Sequence, residues 1–94
     1  MAMVRFEAHV TGRIQHVGFR RWVRDQAGRL RLEGAVENNT DGSVSIIVEG
    51  EQDRAEVMAR RLEEQPSSYH RPGIIQNVTI EWMEPRGIVG FVSA

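Results

Sequence analysis

Residues 12 to 20 read Gly-Arg-Ile-Gln-His-Val-Gly-Phe-Arg. A glycine-bounded loop that runs into a helix presents backbone N–H groups without internal acceptors, and the helix dipole favours an anion there. Successive amides facing inward form a nest, and Gly18 lets the backbone approach a ligand closely. Arg20, in the first helical turn, could lean back and add a two-pronged bond to a phosphate oxygen. Those residue types suit binding of a phosphoryl group. The bland reading of the same stretch is an ordinary turn followed by a solvated arginine face. A second residue of interest is Asn38, just before an Asp41-Gly42 turn. Asparagine is common beside turns, where it bonds its own backbone, so its type alone decides little.

The elements that would position these residues follow from hydrophobic spacing. Val4, Phe6, Ala8 and Val10 alternate with Arg5, Glu7, His9 and Thr11, as expected of a half-buried strand. From Phe19 the period changes: Phe19, Trp22, Val23, Gln26, Ala27 and Leu30 recur at helical steps, predicting an amphipathic helix to about residue 30. Residues 35–38 and 43–49 read as two strands around an Asp-Gly hairpin turn, with Val44, Ile46 and Val48 as the buried set. Residues 51–65 read as a second helix with an Ala55, Met58, Ala59, Leu62 stripe, ended by Pro66-Ser67-Ser68. Val78, Ile80 and Trp82 mark a further strand, with Trp22 and Trp82 both expected in the core. Residues 88–92 suggest a short last strand.

The order βαββαβ, with short right-handed connections, predicts an α+β fold. It is the ferredoxin-like sandwich, an antiparallel sheet with two helices on one face. In that arrangement the second strand can lie beside the first and turn Asn38 towards the loop. Ninety-four residues make a single domain spanning 1–94. The fold hosts many functions and does not choose among them.

Composition narrows the choice. All twelve basic residues are arginine, and against thirteen acids they leave a net charge of −1. A polycation that coats nucleic acid or anionic membrane is excluded. The charge is uneven: residues 13–31 hold six arginines against Asp25, whereas 33–64 hold nine acids against three arginines. Most of the arginines read as compositional bias and solvated surface. Cysteine is absent, which excludes a thiolate nucleophile and cysteine-held metal and fits a reducing, cytoplasmic setting. The N-terminus has no apolar run resembling a leader or anchor. His9, His16 and His70 have no metal-ligand spacing, so neither metal nor cofactor is expected.

The 12–20 segment resembles the acylphosphatase signature glycine-x-valine-glutamine-glycine-valine-x-phenylalanine-arginine. The run from Gly34 through Asn38, Asp41 and Gly42 to Val44 resembles the family's second block, glycine-aromatic-valine-x-asparagine-x-x-aspartate-glycine-x-valine. Both occur in order with the right separation. The resemblance is close through residue 50 and weak beyond Gln65. It implies a metal-independent monomeric hydrolase of acid anhydrides, converting a small acyl phosphate into a carboxylate and inorganic phosphate, with no nucleic-acid or membrane partner. It also implies that Arg20 and the amides of His16, Val17, Gly18 and Phe19 hold the phosphoryl group while Asn38 holds the attacking water.

The sequence departs from the pattern in four places. His16 stands where the family has glycine, and if that position needs φ > 0 the histidine is strained by about 1 kcal/mol. The alternative function is therefore an anion-binding or interaction module with catalysis reduced by His16. Ile14 replaces valine and Ala35 replaces an aromatic. The short final strand puts any contact between Arg20 and the C-terminal region in question, as it does the loop around residues 69–72.

Overall fold

The computed structural model describes residues 2–65 and 69–94. The expected end of the second helix at Pro66-Ser67-Ser68 lies outside the described residues. Seven elements follow one another: β1 (Met3–Arg13), α1 (Phe19–Arg29), β2 (Glu33–Asn38), β3 (Val44–Glu51), α2 (Gln52–Glu63), β4 (Ile74–Met83) and β5 (Phe91–Ser93). They form one five-stranded sheet in the order β4-β1-β3-β2-β5. The ferredoxin-like sandwich predicted from the hydrophobic spacing is the fold observed.

The inward alternation of β1 sets the core. Phe6, Ala8 and Val10 are buried opposite Val48, Ile46 and Val44 of β3. Onto that face α1 packs Phe19, Trp22, Val23 and Ala27, and α2 packs Ala55, Met58, Ala59 and Leu62. These are the two stripes expected from the 3.6-residue period. Burying such side chains stabilises the domain by roughly 1.5–3 kcal/mol for each large one.

Five details differ from expectation. The sheet is mixed, because β5 pairs parallel to β2 through Gly34–Phe91, Ala35–Val92 and Val36–Ser93. The last strand spans 91–93 rather than 88–92, and α2 stops at Glu63, where the extended conformation of Glu64 ends the helix. β2 does not touch β1; β3 lies between them. Trp82 is 44% exposed rather than core. Its strand forms one sheet edge, and the ring meets Phe6 edge-on at 5.1 Å.

β4 and β5 occupy opposite edges of the sheet, so residues 84–90 must pass from one side to the other. They do so over the face away from the helices. There Glu49 accepts bonds from the N–H groups of Arg86, Gly87 and Ile88 at 2.9–3.1 Å. Further along, Gly90 N–H donates to Glu33 at 2.5 Å, and Gly34 N–H donates to the Gly90 oxygen at 2.8 Å. Beneath this strap, Glu49 pairs with Arg5 at 2.7 Å, and Arg5 also reaches Glu7 at 2.6 Å. Arg5 and Glu49 are only 5% and 3% exposed. Arg5 is thus a buried structural cation, not surface bias.

Arg71 is another. It is buried and donates to the Arg61 and Leu62 oxygens at 2.8 and 3.0 Å, satisfying carbonyls in the last turn of α2. The neighbouring Tyr69 ring lies under the Arg61 guanidinium at 3.7 Å, and its main-chain oxygen accepts Trp22 Nε1–H at 2.9 Å. These contacts give the 69–72 segment a role in holding α2 to α1.

Candidate active site

The loop between β1 and α1 and the end of β2 meet in one pocket of about 200 Å³. Its walls include His16, Gly18, Phe19, Arg20 and Asn38, together with Ser93. The loop is built by local conformation. His16 takes φ 63° and Gly18 takes φ 91°, both in the left-handed region. A Cβ at Gly18 would meet only Pro72 at 4.0 Å. Glycine is therefore required there by backbone conformation and not by lack of space. At His16 the strain anticipated from its residue type is present, softened because histidine visits the left-handed region more often than most side chains.

Gly18 is the N-cap of α1, and among the described residues no side chain caps that end. The first helical bond runs from Trp22 N–H to the Gly18 oxygen at 3.0 Å. The N–H groups just before Trp22 are consequently without helical acceptors, and no acidic residue occupies the first turn. A helix end of this kind favours an anion, and the positive end of its dipole is directed at the pocket.

Arg20 lines the pocket from that first turn. Its Nη1 donates to the main-chain oxygen of Ala94, so the contact with the C-terminal region exists despite the short β5. Because β5 runs parallel to β2, Ser93 pairs with Val36 and Ala94 N–H donates to the Val36 oxygen at 2.9 Å. The guanidinium is thereby braced against the strand that bears Asn38.

Asn38 reaches the pocket without β2 touching β1. Its Oδ1 is buried and, among the described residues, has no hydrogen-bond partner. A buried carbonyl-type acceptor left unpaired costs about 1–3 kcal/mol, and it is the kind of group that a bound water satisfies. Of the loop residues expected to hold phosphate, His16, Gly18 and Phe19 line the pocket. The Val17 side chain is 47% exposed and does not line it.

The spacing of the loop concealed the work of Gln15. Its Nε2 donates to the main-chain oxygens of Asn39 and Ser43 at 2.8 and 3.0 Å. The loop is thus fastened to the β2–β3 turn one residue beyond Asn38. That turn is itself rigid. Asp41 accepts Ser43 N–H and Oγ–H at 2.9 and 2.6 Å, while Asn39 Nδ2 donates to the Ser43 and Ser45 hydroxyls at 2.8 and 2.9 Å. The bonds from Ser43 hold the Asp41 carboxyl below its usual range. The glutamine at the fourth position of the motif was the available signal, since a side-chain amide can bridge two carbonyls.

Among the described residues, no helix is long and apolar enough to cross a membrane.

The acylphosphatase family model matches residues 6–92. An acylphosphatase from Corynebacterium glutamicum strain R is 48% identical over 92 residues, covering 98% of each chain. The crystal structure of acylphosphatase from Bacillus subtilis superposes with a TM-score of 0.84 at 25% identity, covering 97% of this chain and 98% of that one. An acylphosphatase from Coxiella burnetii gives a TM-score of 0.83 at 28% identity, over 98% of this chain and 93% of that one.

Proposed function

The chain belongs to the acylphosphatase family and is a hydrolase of acyl phosphates, and we propose that Arg20, the loop amides and Asn38 are the groups that perform the reaction. The N–H groups of His16, Val17, Gly18 and Phe19 receive the phosphoryl oxygens, and the Arg20 guanidinium grips one or two more. The unpaired Asn38 Oδ1 accepts a hydrogen bond from the attacking water and holds it in line with the bond to be broken.

The bond made joins the water oxygen to phosphorus. The bond broken joins phosphorus to the acyl oxygen, which leaves with the electron pair as a carboxylate. Both water protons end on the released phosphate, so a dianionic acyl phosphate becomes one carboxylate and one dihydrogen phosphate. A carboxylate is a good leaving group and needs no strong acid. An amide is too weak a base to take a proton but can orient water. What remains for the protein is positioning and stabilisation of charge on the phosphoryl oxygens.

The observation that carries this reading is the meeting of Arg20, an uncapped helix start and an orphaned Asn38 oxygen in one pocket. The alternative, an anion-binding or interaction module with catalysis reduced by His16, is not favoured by the family assignment. The proposal extends to a monomer working in the cytoplasm on a free small molecule, without nucleic acid. Zero cysteines and a near-neutral net charge support it. The test is hydrolysis of benzoyl phosphate by the purified protein with EDTA present. Turnover well above background is expected, and none would overturn the reading.

A further inference from the structure

Arg20 is one of three arginines on the pocket wall; Arg21 and Arg24 are the others. The three share the first turns of α1, whose core side is occupied by Phe19, Trp22, Val23, Gln26 and Ala27. Arg20 and Arg24 stand four residues apart and Arg21 and Arg24 three apart, so the like charges are helix-surface neighbours. That placement is mutually repulsive. Among the described residues neither Arg21 nor Arg24 has an ion-pair or hydrogen-bond partner that would offset it.

One phosphoryl group has a charge of about −2 at neutral pH. Arg20 and the amides at the helix start already provide for it. Two further guanidinium forks on the same wall exceed what a single phosphoryl group requires, and each matches a carboxylate or phosphate. Building on the hydrolase reading above, we propose that Arg21 and Arg24 determine specificity for the acyl half of the substrate. The preferred substrate is an acyl phosphate whose acyl chain ends in a second anionic group. The phosphoryl end sits on the loop, and the distal anion lies along α1 between the two arginines.

The test compares kcat/KM for three substrates of similar length: butyryl phosphate, succinyl phosphate and 3-phosphonopropanoyl phosphate. They end in a methyl, a carboxylate and a phosphonate. At low salt at least one charged substrate should exceed butyryl phosphate by about five- to tenfold, the sum of two partly exposed ion pairs. The advantage should reside in KM and shrink as ionic strength rises. In the Arg21→Gln/Arg24→Gln double variant the charged-to-neutral ratio should fall to near one. Both substitutions are on exposed side chains of α1, so folding should be preserved. Equal kcat/KM for all three substrates, or a preference that survives the double substitution, would overturn this proposal while leaving the hydrolase reading intact. Hydrolysis of none of them would overturn both.

Discussion

Gln15 Nε2 lies 2.8 Å from the main-chain oxygen of Asn39, the residue that follows Asn38. The phosphate loop and the asparagine come from separate strands with β3 between them. This side chain ties one to the other. Gln15→Ala should remove both bonds while the Asn39 and Ser43 oxygens keep the N–H groups of Gly42 and Asn39, and so cost only about 0.5–1.5 kcal/mol of stability. Turnover should fall by more than phosphate affinity, because the loop survives while its register with Asn38 loosens. Urea midpoints and kcat measured with the phosphate inhibition constant would check both.

Arg20 and Asn38 should separate cleanly in kinetics. Arg20→Gln should weaken competitive inhibition by inorganic phosphate and lower turnover together. Asn38→Ala should lower kcat by about 10²–10³, the range seen when one positioned hydrogen-bonding group is removed from an active site. Its phosphate inhibition constant should stay near that of the parent. A parallel loss of phosphate affinity in Asn38→Ala would contradict the assigned roles.

His16→Gly tests the strained loop position directly. At φ 63° glycine has no Cβ penalty, although it also gains freedom in the unfolded chain. The net gain should be on the order of 1 kcal/mol or less, readable as a rise of a few degrees in Tm for a domain of this size. A drop in activity in the more stable variant would assign the imidazole a positive role in the pocket.

Glu49 governs stability in acid. Its burial opposes ionisation, but the Arg5 bond and the N–H groups of Arg86, Ile88 and Gly87 outweigh that and hold its carboxyl below the usual glutamate value of 4.5. A depressed folded value means the unfolded chain takes up the proton first. The contribution is therefore full above pH 4.5 and lost as the pH falls below that, through the folded value. Glu49→Gln should flatten this acid limb and cost about 1–3 kcal/mol at neutral pH, because Arg5 is left with Glu7 as its one carboxylate partner. Denaturant midpoints at pH 7 and below pH 4 would show it.

The candidate site's main parts were legible because their chemistry is local. Glycines at 12 and 18, an arginine in the first helical turn and an asparagine before an Asp-Gly turn each announce themselves through backbone needs. What stayed hidden depended on distant chain. Arg5 and Glu49 fall on the polar side of their strands, and alternation cannot reveal that residues 84–90 cover that side. Trp82 alternates like a core residue, but its strand is an edge. Gln15 stood in plain view within the motif, yet its acceptors lie 24 and 28 residues away.

The sheet order has a kinetic consequence. β1 waits for β3 and β4 before either of its edges is paired, and β2 receives β5 only after the chain has crossed the whole sheet. Ladders made from such remote segments require loop closure before they return any contact energy, which slows folding relative to helical domains of equal size. The brace on Arg20 arrives with the last strand. In refolding, helical signal should therefore return before hydrolytic activity, and stopped-flow measurement of the two would show the interval.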